Sequence, residues 1–137
     1  MQTIEIVQEF SRPVAEVYEE LADHNRLGKV LGVPVVRVRD GNSSVNGVGS
    51  VRRIGVAPLA IEETVVGAVA GKSIDYKITR GGWPLKNHHG RLVFKPLTGG
   101  RSQLTWHIEF NGALPGSAFL VKQILNLAIS RGLKKIA

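Results

Sequence analysis

The sequence predicts an α+β fold, in which a seven-stranded antiparallel sheet wraps around a long C-terminal helix. Two observations carry this. From Pro115 to Ala137, Leu120, Val121, Ile124, Leu125, Leu127, Ala128 and Ile129 form a wide apolar arc at helical spacing, with Lys122, Gln123, Asn126 and Ser130 in a narrow polar stripe. Nearly everything before this segment reads as strand, and several strands are apolar on one face only. A helix that apolar needs a concave surface to bury it, and a one-sided antiparallel sheet supplies one.

Taken in order, Ile4, Ile6 and Phe10 alternate with Thr3, Glu5 and Glu9, the pattern of a half-buried first strand. Ser11-Arg12-Pro13 starts a helix whose Val14, Val17, Tyr18 and Leu21 fall at i, i+3, i+4 and i+7. A second short helical piece follows Asp23 to about Val30, before Gly32 and Pro34 stop it. Val36 and Val38 then alternate with Arg37 and Arg39. Further strands run at about 48–56, 59–68, 72–80, 87–96 and 102–111, parted by Ala57-Pro58, Ala70-Gly71, Gly81-Gly82 and Thr98-Gly99-Gly100. In the last strand Leu104, Trp106, Ile108 and Phe110 share a face; Leu92 and Phe94, then Ile74, Tyr76 and Ile78, continue it in the two strands before. The final helix, at ~1.5 Å per residue, is long enough to cross a small domain. Its polar stripe keeps it from reading as a membrane span.

At 137 residues, 43% hydrophobic and 21% charged, with no repeat or linker, residues 1–137 read as one domain with a proper core. The absence of cysteine excludes disulfides, a thiolate nucleophile and a cysteine metal site. The N-terminal residues enter strand-like sequence directly, so a cytoplasmic location is expected.

The element order, with Val14-x-x-Val17-Tyr18 on the first helix, resembles the START/birch-allergen-like (SRPBCC) superfamily in its polyketide cyclase/dehydrase branch. Gly49-Ser50-Val51-Arg52, Glu62-Glu63-x-Val65, Asp75-Tyr76-x-Ile78, Pro84-Leu85-x-Asn87-His88 and Leu104-Thr105-Trp106 look like pieces of that branch, and the likeness covers essentially the whole chain. It implies a helix-grip fold with an internal cavity for a hydrophobic ligand. It does not imply one reaction, since members bind lipids, hormones or quinones, or cyclise polyketides. Where the branch often carries Tyr, this chain has His88.

The sharpest candidate site is Arg52 with Glu63. If Ala57-Pro58 is a hairpin turn, Ile54 faces Ile61 and Arg52 faces Glu63 on the inward side. A lone charge there is costly and a pair is tolerated. Arg52 would then hold a carboxylate, carbonyl or enolate oxygen, with Glu63 orienting it or acting as base; an ordinary cross-strand ion pair is the competing reading. A one-residue slip would exchange them for Arg53 and Glu62. Tyr76, His88 and Trp106 share the inward parity, as groups to bind or protonate a ligand oxygen and to supply wall area, or as ordinary core. Tyr18 is assigned to packing.

Other motifs carry no site. His88 and His89 are neighbours on a strand, point to opposite faces and cannot chelate one ion, so no metal is expected. Gly71-Lys72-Ser73 lacks the first glycine of a phosphate loop, because position 66 is Val, and a strand follows it. No cofactor is expected.

The net charge of +7 gathers on the outward parity: Arg37, Arg39, Arg53, Lys77, Arg91 and Lys95. Such a convex face would suit RNA or an anionic membrane, but it lacks aromatic residues to stack bases, and a solvated surface explains it adequately. Three functions follow: a carrier of a small hydrophobic or amphipathic molecule, a cyclase/dehydratase-like enzyme using the same cavity, or an interaction module using the basic face. A ligand site needs roughly 300 Å³ or more, which separates the third from the others.

Overall fold

A computed structural model describes residues 1–137. The strands are β1 (Gln2–Phe10), β2 (Val35–Arg39), β3 (Val51–Ile54), β4 (Ile61–Val69), β5 (Ser73–Arg80), β6 (Leu85–Leu97) and β7 (Arg101–Gly112). The helices are α1 (Val14–Ala22), α2 (Gly28–Leu31) and α3 (Ser117–Ile136). All strand pairs are antiparallel, in the order β1-β7-β6-β5-β4-β3-β2, so the predicted helix-grip sheet is present with β1 and β2 as its edges.

The alternation read from sequence decides what fills the concave side. Ile4, Ile6, Phe10, Ile74, Leu92, Phe94, Leu104, Trp106, Ile108 and Phe110 are all buried there. Helix α1 adds Val17 and Leu21, and Tyr18 packs edge-on against Phe94 with ring centroids 5.0 Å apart. Tyr18 is therefore a packing residue of α1.

Three local expectations are corrected. The third strand is shorter than 48–56, because Gly49 (φ 90°) and Gly55 (φ 86°) leave extended geometry at either end. Arg37 does not share the outward face of Arg53: it pairs with Arg52, whereas Val36 pairs with Arg53 and is exposed. Alternation in β2 is legible in the sequence, but not which set faces in; Val35 is the residue that reaches the core and so fixes the register. The apolar arc of α3 is only half used. Ile129, Gly132 and Leu133 are buried and Ala118, Val121, Leu125 and Ile136 pack partly, while Leu120, Ile124 and Leu127 face outward. At ~100° per residue the arc is wider than one concave sheet can cover.

The burial of α3 is also uneven along its length: every fully buried residue lies in its C-terminal half. There Gly132 sits so close to the Val30 carbonyl of α2 that a Cβ has no room. Arg12 adds a clamp, donating to the Ile136 carbonyl at 3.1 Å while its guanidinium lies 2.7 Å from Glu20 of α1. The N-terminal half of α3 rests on partly buried side chains alone.

Candidate functional site

The 55–60 connection forms the predicted hairpin turn between β3 and β4, and its register sets Arg52 opposite Glu63 and Ile54 opposite Ile61. Both charges point into the concave side, where Arg52 Nε donates to Glu63 Oε1 at 2.9 Å and Nη2 lies 2.7 Å from the same oxygen. Glu63 Oε2 and Arg52 Nη1 make no hydrogen bond within the protein. The guanidinium carbon also stands 4.7 Å from the centroid of the Tyr76 ring, a cation–π contact that helps hold the buried charge.

Tyr76 itself is placed by β5 and by an empty position on β6. It pairs with Gly90, and the ring occupies the space a Cβ at Gly90 would take. Trp106 Nε1 donates to Tyr76 Oη at 2.9 Å, which satisfies the buried indole and leaves the phenolic proton free to donate elsewhere. Burial raises the Tyr76 pKa well above its usual range, with the nearby Glu63 charge adding to the effect, so the hydroxyl is neutral.

His88 stands on the same wall by alternation with Gly90 and Leu92, just after an irregularity in β6. The register shifts by one residue between Lys86 and His89, and Asn87 takes a left-handed conformation (φ 52°). The extra residue lets both Leu85 and His88 face inward. Ile78 N donates to His88 Nδ1 at 3.2 Å, so in the neutral ring the proton sits on Nε2. Burial lowers the His88 pKa, against an opposing pull from Glu63. His89 points the other way and lies 3.4 Å from Asp75 on the convex side.

These five residues, Arg52, Glu63, Tyr76, His88 and Trp106, line one cavity of about 130 Å³ between sheet and α3. Its remaining lining is apolar, with Val121, Leu125 and Ile129 of α3 forming the roof. The volume falls below the ~300 Å³ of a typical ligand site. A void of ~150 Å³ takes up benzene, so the space suits about one six-membered ring. A larger groove of about 530 Å³ lies between α1 and the 43–48 loop, but it is a surface feature whose lining includes Tyr18 and Glu19 and otherwise small or neutral residues. The chemistry converges on the smaller space.

His24 has no counterpart in the sequence pattern. It is buried behind the pair, with Nε2 2.8 Å from Ser50 Oγ and Nδ1 without a partner. Burial, then the charges of Arg52 and Arg37, lower its pKa to about 3. A single His after α1 has no periodic or spacing signal that would mark it.

A curved antiparallel sheet closed by one long helix over a small cavity with a polar wall defines a helix-grip protein. The chain belongs to the family described as polyketide cyclase / dehydrase and lipid transport, whose model matches residues 1–137. Among solved structures it is similar to the di-domain ARO/CYC BexL from the BE-7585A biosynthetic pathway (TM-score 0.77, 14% identity, 99% of this chain and 45% of that one). It is likewise similar to XoxI from Bacillus cereus (TM-score 0.75, 17% identity, 99% and 93%). Ara h 8.0201 matches with TM-score 0.70 and 18% identity over 98% of this chain and 97% of that one. At these identities the likeness establishes the fold. No curated protein sequence matches.

Proposed function

We propose that residues 1–137 act as one domain that binds the oxygen-bearing, ring-sized end of a small amphipathic molecule. The observation that carries this is the pair of uncommitted protons on the polar wall. Tyr76 Oη already accepts from Trp106, and His88 Nδ1 already accepts from Ile78, so each has a proton left for the cavity. Two neutral donors in an otherwise apolar space select a carbonyl, ether or phenolic oxygen over hydrocarbon. Arg52 commits two of its nitrogens to Glu63 and acts mainly by holding Glu63 and the Tyr76 ring. The apolar remainder of the ligand would lie beneath the N-terminal half of α3, which has to rise to admit it.

The test is a titration followed by the Trp106 indole N–H resonance, using a six-membered cyclic ketone and the corresponding hydrocarbon. Ketone binding should shift that resonance and weaken about ten-fold with Tyr76→Phe, the effect of one lost hydrogen bond. The hydrocarbon should be indifferent to that change. Equal binding of both compounds, or a ketone insensitive to Tyr76→Phe and His88→Phe, would overturn the reading.

A second reading rests on Glu63 Oε2, a carboxylate oxygen beside the cavity with no protein donor. It would accept a proton next to a carbonyl held by Tyr76, as a cyclase or dehydratase needs. Turnover of a carbonyl substrate that disappears in Glu63→Gln would establish it.

A further inference from the structure

We infer that the end of the fold at which the cavity's Ile54, Ile61, Ile78 and Leu85 adjoin the sheet's turns, taken as its mouth, docks on an anionic membrane surface. In this antiparallel meander the 32–34, 55–60, 81–84 and 113–116 connections all lie at one end of the sheet. They touch in series. Gly55 N donates to the Pro34 carbonyl at 2.9 Å, a Cβ at Gly81 would come within 3.0 Å of the Ala60 carbonyl, and Ala113 N donates to the Pro84 carbonyl at 2.7 Å.

This connected rim exposes large apolar side chains where nothing in the fold requires them. Leu59 is 86% exposed, Trp83 73%, Val56 66%, Leu120 61%, Phe119 58% and Leu114 49%. Gly81 (φ 73°) and Gly82 (φ 83°) turn the backbone so that Trp83 stands outward. At the opposite end, the 70–72 and 98–100 turns carry no large apolar side chain, and the 40–50 connection exposes Val45 (50%) and Val48 (41%), smaller than the Leu, Trp and Phe of the rim. The larger and more exposed apolar side chains therefore gather at the cavity end.

Charge chooses the partner. Across residues 29–34, 53–62, 80–87 and 111–122 the basic residues are Lys29, Arg53, Arg80, Lys86 and Lys122, and the single acidic one is Glu62. Glu62 is taken by Arg53 at 3.2 Å, so the rest of the rim is uncompensated. A second copy docking here would set like charge against like charge. These side chains project from the 55–60, 81–84 and 113–116 turns and from the first turn of α3, as separate tips and not as one flat face. Separate apolar tips, one of them Trp, ringed by Lys and Arg, match the headgroup–acyl boundary of an anionic bilayer. No helix of this chain is long and apolar enough to cross a membrane, so the contact is interfacial. It would also bring an amphipathic ligand to the mouth without exposing its apolar part to water.

The experiment is flotation of the protein with vesicles of phosphatidylcholine alone and of phosphatidylcholine containing phosphatidylserine, at low and physiological salt. Binding should require phosphatidylserine and weaken with salt. Trp83 emission should shift to the blue on binding, and the signal should vanish in Trp83→Ala. Leu59→Ser with Trp83→Ala should weaken binding on the order of ten-fold or more, and Arg80→Gln with Lys86→Gln should flatten the salt dependence. All four positions are exposed, so folding is not at stake. Tyr76→Phe should leave vesicle binding unchanged, which separates this proposal from the cavity reading. Arg39→Gln with Lys95→Gln on other surfaces should also leave it unchanged. Three results would overturn the proposal: no flotation with phosphatidylserine at low salt, flotation untouched by the Leu59 and Trp83 changes, or a concentration-dependent dimer that Trp83→Ala abolishes.

Discussion

Arg52 and Glu63 stand directly opposite one another on β3 and β4, 2.7 Å apart, with side chains 4% and 8% exposed. A surface pair would contribute ~0–1 kcal/mol; this one is dry enough that its partners cannot be separated cheaply. Glu63→Ala should cost about 3–5 kcal/mol in urea unfolding because it strands the guanidinium. Arg52→Met with Glu63→Leu should cost clearly less than the two single changes summed, since neither charge is then left alone. Strict additivity would show that the pair is not coupled.

Trp106 is buried, fills the cavity wall and supplies the donor that satisfies Tyr76. Trp106→Ala should lower the unfolding free energy by about 3–5 kcal/mol. Trp106→Phe should retain much of the packing yet weaken ketone binding, because Tyr76 Oη loses the partner that fixes its proton. A thermal midpoint that barely moves in the Ala variant would contradict the burial of this face.

Gly132 meets the carbonyl of Val30 where α3 crosses α2, so any side chain there must push the helices apart. Gly132→Ala improves helix propensity by ~1 kcal/mol, yet it should be net destabilising by about 1–3 kcal/mol through overpacking. A stabilised variant would mean that this crossing is looser than its geometry indicates.

The buried histidines set a pH dependence with a definite sign. His24 is lowered to about 3 in the folded protein, and His88 is lowered as well, while in the unfolded chain both titrate near ~6.5. Below that value the unfolded state binds more protons, so stability is full above about 6.5 and falls as the pH drops toward 3. Each histidine contributes a slope of up to about 1.4 kcal/mol per pH unit. His24→Asn should flatten the curve between pH 6 and 4, measured by denaturant unfolding at a series of pH values. An unchanged slope would show that His24 titrates alike in the folded and unfolded chain and is not held neutral by burial.

What can be read from the chain, and what cannot, divides along physical lines. Period-two alternation and a Pro-containing turn are local, and they place Arg52, Glu63, Tyr76 and Trp106 on one side correctly. Parity turns His88 inward as well, with Gly90, Leu92 and Phe94; what parity counting does not see is the bulge at Asn87, which brings Leu85 to the same face. Parity turns Arg37 the wrong way because a short edge strand contains no core residue strong enough to choose between its faces, apart from Val35 at its first position. The overwide apolar arc of α3 marks the helix but hides the fact that Leu120, Ile124 and Leu127 remain outside. Cavity size depends on how closely α3 settles, and His24 on a contact 26 residues away, so neither leaves a trace in local pattern.

The pairing of β1 with β7 joins residues such as Gln2 and Phe110, about as far apart as this chain allows. During synthesis at ~5–20 residues per second, β1 therefore emerges several seconds before its only sheet neighbour exists. Ile4, Ile6 and Phe10 pass that interval without β7 or α3 to cover them, and the strand offers free backbone edges to any other nascent chain. The ribosome-bound fragment is thus the form of this protein most in need of a chaperone. A circular permutant that begins at β2 and carries β1 after α3 would shorten that exposure.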